Sequence, residues 1–229
     1  MNESTLTIDA QDVHLSYGQT PALRGVSLIC RTGESVALMG PSGSGKSSLL
    51  HCLAGVLRPD GGQLTVAGAR LDTLSERARS QLRLSRLGMV FQFGNLIPEL
   101  TLLENVMLPL QLLGERAVAA RPRALALLGR LQVAEVSTRL AGEVSGGEAQ
   151  RAAVARALVH EPAVLFADEP TGALDTASAD RVLDSLLGLA RETGSTVVLV
   201  THENRIAAHC DRLLSIRDGV MVAHDAVTG

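Results

Sequence analysis

Lys46 is where the chemistry of this chain is most concentrated. Of 21 basic residues, 20 are arginine and only this one is lysine. A lysine ammonium is a compact point charge on a flexible stem, whereas a guanidinium is a rigid planar fork. Either this position needs something arginine cannot supply, or one surface lysine is left over by accident of composition, and the residues around it decide. Its neighbours, Gly40-Pro41-Ser42-Gly43-Ser44-Gly45-Lys46-Ser47, read GxxxxGK[ST], with Ser48 following. Glycines let backbone N–H groups close around phosphate oxygens, and a helix N-terminus adds its positive end. Lys46 would reach the β- and γ-phosphates, and the Ser47 hydroxyl would ligate Mg²⁺. The pattern predicts a nucleotide-binding P-loop.

Two carboxylates supply the next candidates. The apolar run Ala163–Ala167 leads straight into Asp168-Glu169-Pro170. In a parallel sheet this run would deliver both acids to the phosphate end. Asp168 suits a Mg²⁺ shell, and Glu169 suits a general base for an attacking water. Between the P-loop and these acids lies Val144-Ser145-Gly146-Gly147-Glu148, ahead of the helical run Ala149–Leu158. A Ser-Gly-Gly helix start is either an ordinary N-cap or a second anion site. One helix N-terminus already serves the phosphates, so the second makes sense if another subunit presents it to the same nucleotide.

These groups need elements to hold them. Ser35–Met39 reads as a strand entering the P-loop, and Ser47–Ala54 as the helix leaving it, with Leu49 and Leu53 on one face. Met89–Gln92 and Thr196–Val200 read as companion strands, the latter leading to Thr201-His202. Further β-type segments are Thr5–Val13, Val26–Cys30 and Gln63–Val66, with turn signals such as Pro59-Asp60-Gly61-Gly62. From about Phe93 to Val159 strand signals give way to leucine-rich helical stretches. One begins with Pro122 in its first turn and carries Leu125, Leu128 and Leu131 on a common face. Another, Thr176–Thr193, stops at Gly194. The stretch Phe91–Pro109 is apolar yet irregular, and Pro98 and Pro109 argue against one continuous helix.

Composition narrows the class. The 229 residues are 46% hydrophobic and 20% charged, ordinary for a folded domain. A net charge of -3 and a pI near 6.1 provide no basic field for nucleic acid. Cys30, Cys52 and Cys210 form no CxxC pair, which suits a reducing compartment. No run is long enough to span a bilayer, and the opening residues lack the features of an export signal. His14, His51, His160, His209 and His224 read as structural histidines, and Arg77, Arg79, Arg83 and Arg86 as a solvated helix face.

With these motifs in order, essentially the whole chain resembles the ATPase subunit of ABC transporters. Gly40–Ser47 is similar to that family's Walker A, Val164–Glu169 to its Walker B with the catalytic glutamate, and Val144–Glu148 to its signature, with Val for Leu and Glu for Gln. Gln92 matches the Q-loop glutamine, Gly172-Ala173-Leu174-Asp175 the D-loop, and His202 the switch histidine. Tyr17 sits where the family stacks a ring on adenine. The wording of Phe91–Leu110, with Asp168–Asp175 and Val200–Glu203, looks most like the macrolide-exporter and lipoprotein-releasing branch.

The resemblance implies an α/β fold over residues 1–229: a P-loop NTPase (RecA-like) core, an N-terminal antiparallel β subdomain and an inserted α-helical subdomain. Segments 1–92 and 160–229 would form the first two, and 93–159 the third. It implies an ATPase using ATP and Mg²⁺, with Glu169, His202 and Gln92 at the catalytic step. Tyr17 and Gly40 through Ser48 would bind nucleotide, and Ser47, Gln92 and Asp168 would hold the metal. A second copy would supply Ser145, Gly146, Gly147, Glu148 and Asp175 in a head-to-tail dimer. A separate membrane permease would dock near Phe93–Glu104, placing the chain peripherally on the cytoplasmic face of the membrane. A small P-loop kinase would leave Ser145–Glu148 and His202 unexplained. A chromosome-maintenance ATPase would need a coiled-coil insertion or a basic surface, and a non-hydrolysing nucleotide module would not need Glu169.

Overall fold

Strands β1 (Leu6–Tyr17) and β2 (Thr20–Arg31) form a long hairpin closed by Gly18-Gln19, with Tyr17 paired to Thr20. Strand β3 (Ser35–Met39) enters the P-loop, and helix α1 (Lys46–Leu53) leaves it. Strands β4 (Gly61–Val66) and β5 (Ala69–Arg70) return to the hairpin, giving an antiparallel sheet in the order β2-β1-β4-β5. Helix α2 (Glu76–Arg86) leads into β6 (Leu87–Val90). Helices α3 (Leu102–Leu112), α4 (Ala117–Arg130) and α5 (Gly146–Leu158) follow, with short 3₁₀ turns at Ala134–Val136 and Ala141–Glu143. Then come β7 (Val164–Asp168), α6 (Thr176–Thr193), β8 (Thr196–Val200), α7 (Asn204–Ala207), β9 (Arg212–Arg217) and β10 (Val220–Val222). The computed structural model describes residues 5–92, 94–172 and 174–222. Phe93, Ala173 and His224, named above, lie outside that set.

The second sheet runs β10-β9-β3-β8-β7-β6, parallel throughout except for β10. Its central strands are buried on both faces, which explains their uninterrupted apolar sequence. In β7, Val164 and Phe166 face one core with Ile8, Leu49 and Leu53, between the antiparallel sheet and α1. Leu165 and Ala167 face the other core with Val106, Leu128 and Leu186, under the helices. The fold is that of an α/β P-loop NTPase with an antiparallel N-terminal sheet.

Four expectations change. Strand β6 stops at Val90, so Gln92 stands two residues past the sheet and is not its last strand residue. Helix α4 begins at Ala117, which puts Pro122 in the second turn; its buried face is Ala120, Ala124 and Leu128, with Leu131 just beyond, while Leu125 is half-buried. The Phe91–Pro109 stretch is not one continuous helix, as expected, but Pro109 does not break the helix it contains: α3 starts at Leu102 and runs through it. The lost backbone bond there is offset by burial of Leu102, Leu103, Val106 and Leu110, and by a capping box in which Thr101 N and Oγ1 donate to Glu104 at 2.8 and 2.7 Å. The arginines of α2 are not one solvated face: Arg79 is buried and paired to Glu76, and Arg83 donates to the Gly55 carbonyl.

Within the Phe91–Pro109 stretch, the apolar character of residues 102–107 is likewise spent on the core. Leu102, Leu103, Val106 and Met107 are buried, leaving Ile97, Pro98 and Glu99 as its exposed tip.

Candidate nucleotide site

Parallel pairing decides where the chemistry gathers. Leu38 of β3 and Asp168 of β7 both register with Val200 of β8, so three strands end at one level. Glu169 N donates to the Val200 carbonyl at 2.9 Å, and Thr201 N to that of Leu38 at 3.2 Å. The P-loop, the two acids and His202 therefore open onto one cleft of about 770 Å³ at the carboxyl edge of the sheet.

The floor of the cleft is the glycine loop. Gly45 precedes α1 with φ near 104°, and a Cβ there would lie 2.6 Å from the Ala22 carbonyl oxygen. At Gly40 a Cβ would run into the Ile216 carbonyl oxygen. Both positions exclude any side chain, which is the physical content of the glycine spacing. The Lys46 ammonium is buried over the loop, donating to the Gly40 and Pro41 carbonyls at 2.8 and 2.9 Å. Gly40, Pro41, Ser42, Gly43, Gly45, Lys46, Ser47 and Ser48 all line the cleft. Ser44 does not: it is buried, and its hydroxyl meets no hydrogen-bond partner among the described residues.

The far wall carries Gln92, Asp168, Glu169 and His202. Burial, first of all, raises the Asp168 carboxyl above the usual range, and neighbouring Glu169 adds to it; His51, the Ser47 hydroxyl and Lys46 pull the other way. The Ser47 hydroxyl is thus near enough to favour the Asp168 carboxylate, and the two offer hard oxygen donors on one cleft. Glu169 sits at φ 45°, a left-handed conformation uncommon for a residue with a side chain, and one that clusters at functional sites. Its Oε1 lies 2.9 Å from His202 Nδ1.

Tyr17, 54% exposed, is no core tyrosine; it closes one side of the cleft, its hydroxyl 3.4 Å from Ser48 Oγ. Sequence reasoning missed Thr20, Pro21 and Ala22, which complete that wall. Only the hairpin register with Tyr17 could have signalled them.

The signature residues stand apart from this cleft. Ser145 caps α5, and a second capping box ties it to Glu148: Ser145 N and Oγ donate to Oε2 at 2.8 and 2.6 Å. Those bonds, side chain first and then backbone, lower the Glu148 pKa. The fifth signature position thus has a local structural use for a carboxylate. Asp175 caps α6, accepting from Ser178 N at 3.0 Å. Within one chain neither element lines the P-loop cleft.

Comparison with known proteins agrees with this geometry. Residues 23–172 match the ABC transporter family. The lipoprotein-releasing system ATP-binding protein LolD of Paramagnetospirillum magneticum is 47% identical over 87% of this chain and 88% of its own length. The protein of the same name from Legionella pneumophila is 42% identical over 98% of this chain and 100% of its own. Among solved structures, the dimeric ATP-binding cassette MJ0796 in a post-hydrolysis state bound to ADP and Pi aligns with a TM-score of 0.89 and 34% identity, covering 97% of this chain and 99% of that one. A P-loop cleft closed by Asp168, Glu169 and His202, on a fold shared over nearly the full chain with such relatives, leaves one assignment: the chain belongs to the ABC transporter family, as one of its ATP-hydrolysing subunits.

Proposed function

We propose that this chain drives lipoprotein release, the activity in the names of its LolD relatives, by Mg²⁺-dependent ATP hydrolysis beneath a separate membrane permease. The observation that carries the catalytic part is the gathering of the P-loop, Asp168, Glu169, Gln92 and His202 on one cleft. Lys46 would compensate the β- and γ-phosphates, and Gly40 through Ser48 would offer backbone N–H groups and hydroxyls to the phosphate oxygens. Tyr17 would stack on the base. Ser47, Asp168 and Gln92 supply oxygen donors of the kind Mg²⁺ prefers; the metal would neutralise charge on the phosphates. Glu169 would take a proton from water at its carboxylate, and Gln92 would orient that water through its amide.

His202 has a choice to make. A carboxylate only accepts, so the 2.9 Å contact with Glu169 assigns a proton to Nδ1. A neutral imidazole then has no proton on Nε2 to offer a γ-phosphate. Engaging the phosphate requires that His202 leave Glu169 or take a second proton.

Ser145, Gly146, Gly147, Glu148 and Asp175 would meet the nucleotide of a second copy, in a head-to-tail dimer that uses one surface twice. Loss of the γ-phosphate would remove what joins the two copies. Among the described residues no helix is long and apolar enough to cross a membrane, so the membrane-spanning part would come from the permease. Its docking site would be the exposed tip of the Phe93–Glu104 segment, with the chain held peripherally on the cytoplasmic face. Segments 1–92 and 160–229 would form the core with its β subdomain, and 93–159 the helical subdomain.

The test is light scattering with size exclusion on Glu169→Gln, with and without Mg-ATP. A monomer that becomes a dimer only with ATP supports the shared nucleotide. A monomer with ATP bound removes Ser145–Glu148 from that role in the isolated chain.

A further inference from the structure

Helix α5 begins at the signature but also touches the other end of the chemistry. Gln150, 3% exposed, spends both protons of its side-chain amide on backbone carbonyls: Phe91 O at 3.0 Å and Pro170 O at 2.6 Å. Phe91 immediately precedes Gln92, and Pro170 immediately follows Glu169. One buried amide therefore joins the roots of both loops that aim groups at the water. Two further contacts tighten the same junction. Arg156, on the next turns of α5, donates Nη2 to Gly94 O and Nη1 to Asn95 O, both at 2.8 Å. It grips a bend where Gly94 and Asn95 both hold positive φ, 70° and 49°. On the other side, a Cβ on Gly172 would lie 2.9 Å from Gln92 Nε2, so the Gln92 amide packs directly on the loop after Glu169.

We infer that Gln150 is a positioning residue for ATP hydrolysis: it fixes the spacing of Gln92 and Glu169 and, with Arg156, locks that pair to the signature helix. This rests on the roles given above to Gln92 and Glu169. Ser145 and Arg156 are eleven residues apart on one helix, about 16 Å at its ordinary rise. The end of α5 that would meet the second copy's nucleotide and the side chains that set this copy's water geometry thus belong to one rigid rod. Movement of α5 on dimer closure would shift Gln92 and Glu169 together. A displacement of about 1 Å at such groups is enough to change turnover by about 10²-fold.

The experiment is steady-state ATPase kinetics on Gln150→Met and Arg156→Lys, with Glu169→Gln as control. Met fills the volume of Gln but donates nothing, and Lys keeps the charge but not the planar fork. The expected result is a kcat lowered ~10- to 100-fold in Gln150→Met and ~3- to 10-fold in Arg156→Lys, with KM for ATP within about threefold of the parent in both. A purely structural role predicts something else: unchanged kcat, or loss of kcat and ATP binding together in proportion to lost stability. Either result overturns the inference. If Gln150→Met does not fold, Arg156→Lys decides by the same criteria. If Glu169→Gln itself turns over ATP like the parent, the failure belongs to the assignment of Glu169 and not to Gln150.

Discussion

His202 Nδ1 lies 2.9 Å from Glu169 Oε1, joining two residues that follow different strands, β7 and β8, at the same edge of the sheet. The contact orients both groups over the P-loop without committing either to a phosphate. Replacing His202 by Ala should lower turnover by ~10²–10³, the usual scale for losing one transition-state donor, while ATP still binds. Phosphate release alongside calorimetric ATP titration would check it; a variant that loses ATP binding in proportion to turnover would make His202 a binding residue only.

The single lysine offers a sharper test. Lys46 reaches Gly40 O and Pro41 O from a buried position that a planar guanidinium does not fit. Lys46→Arg should therefore weaken ATP binding by ~10- to 100-fold although the charge is kept. Calorimetry on the folded variant reads this directly, and parent-like affinity would mean that charge alone suffices.

Asp168 is held in the folded chain at a cost in stability. Burial raises its carboxyl pKa in the folded chain, so ionised Asp168 disfavours folding at neutral pH, and that penalty vanishes as pH falls through the raised value. Asp168→Asn should raise the melting temperature at pH 7 by about 2–4 °C without Mg²⁺ or nucleotide, and lower ATPase turnover at least ~10²-fold. Thermal melts across pH would show the two curves approaching one another on acidification; a variant less stable at every pH would contradict the sign.

Far from the cleft, Asp72 sets an acid limit. The Arg70 fork donates to both its oxygens at 3.0 and 2.8 Å, Leu64 N adds a bond at 2.9 Å, and its pKa falls from 3.8 to about 2. The stability this provides is complete above the unfolded value of 3.8 and disappears as pH falls toward about 2. Urea unfolding of Asp72→Asn should show a deficit at pH 6 that shrinks between pH 4 and 2. A deficit independent of pH would assign the residue's contribution to packing alone.

Much of this protein was readable because its chemistry is written locally. The Gly40–Ser47 loop needs glycine where a Cβ would strike Ile216 or Ala22, and residue type records that need directly. Strands β3, β7 and β8 announce themselves as short apolar runs because they are buried on both faces, and the groups at their ends follow from parallel pairing. Asp175 and Gly194 bound α6 by side-chain and backbone capping, again local signals.

What only the tertiary structure decided is what distant segments do for one another. Pro109 reads as a helix breaker and Pro122 as a helix start because propensity is local, yet packing of α3 and α4 into the helical core carries both helices through them. Arg79 and Arg83 resemble a solvated stripe until α2 folds back on Gly55. Thr20–Ala22 acquire a place in the cleft only when the hairpin lies against α1. Gln150 carries no mark of importance in sequence, because its partners at Phe91 and Pro170 are 59 and 20 residues away and are backbone atoms that every residue possesses. Side-chain type records which chemistry is available; long-range backbone contacts, which have no sequence signature, decide where it points.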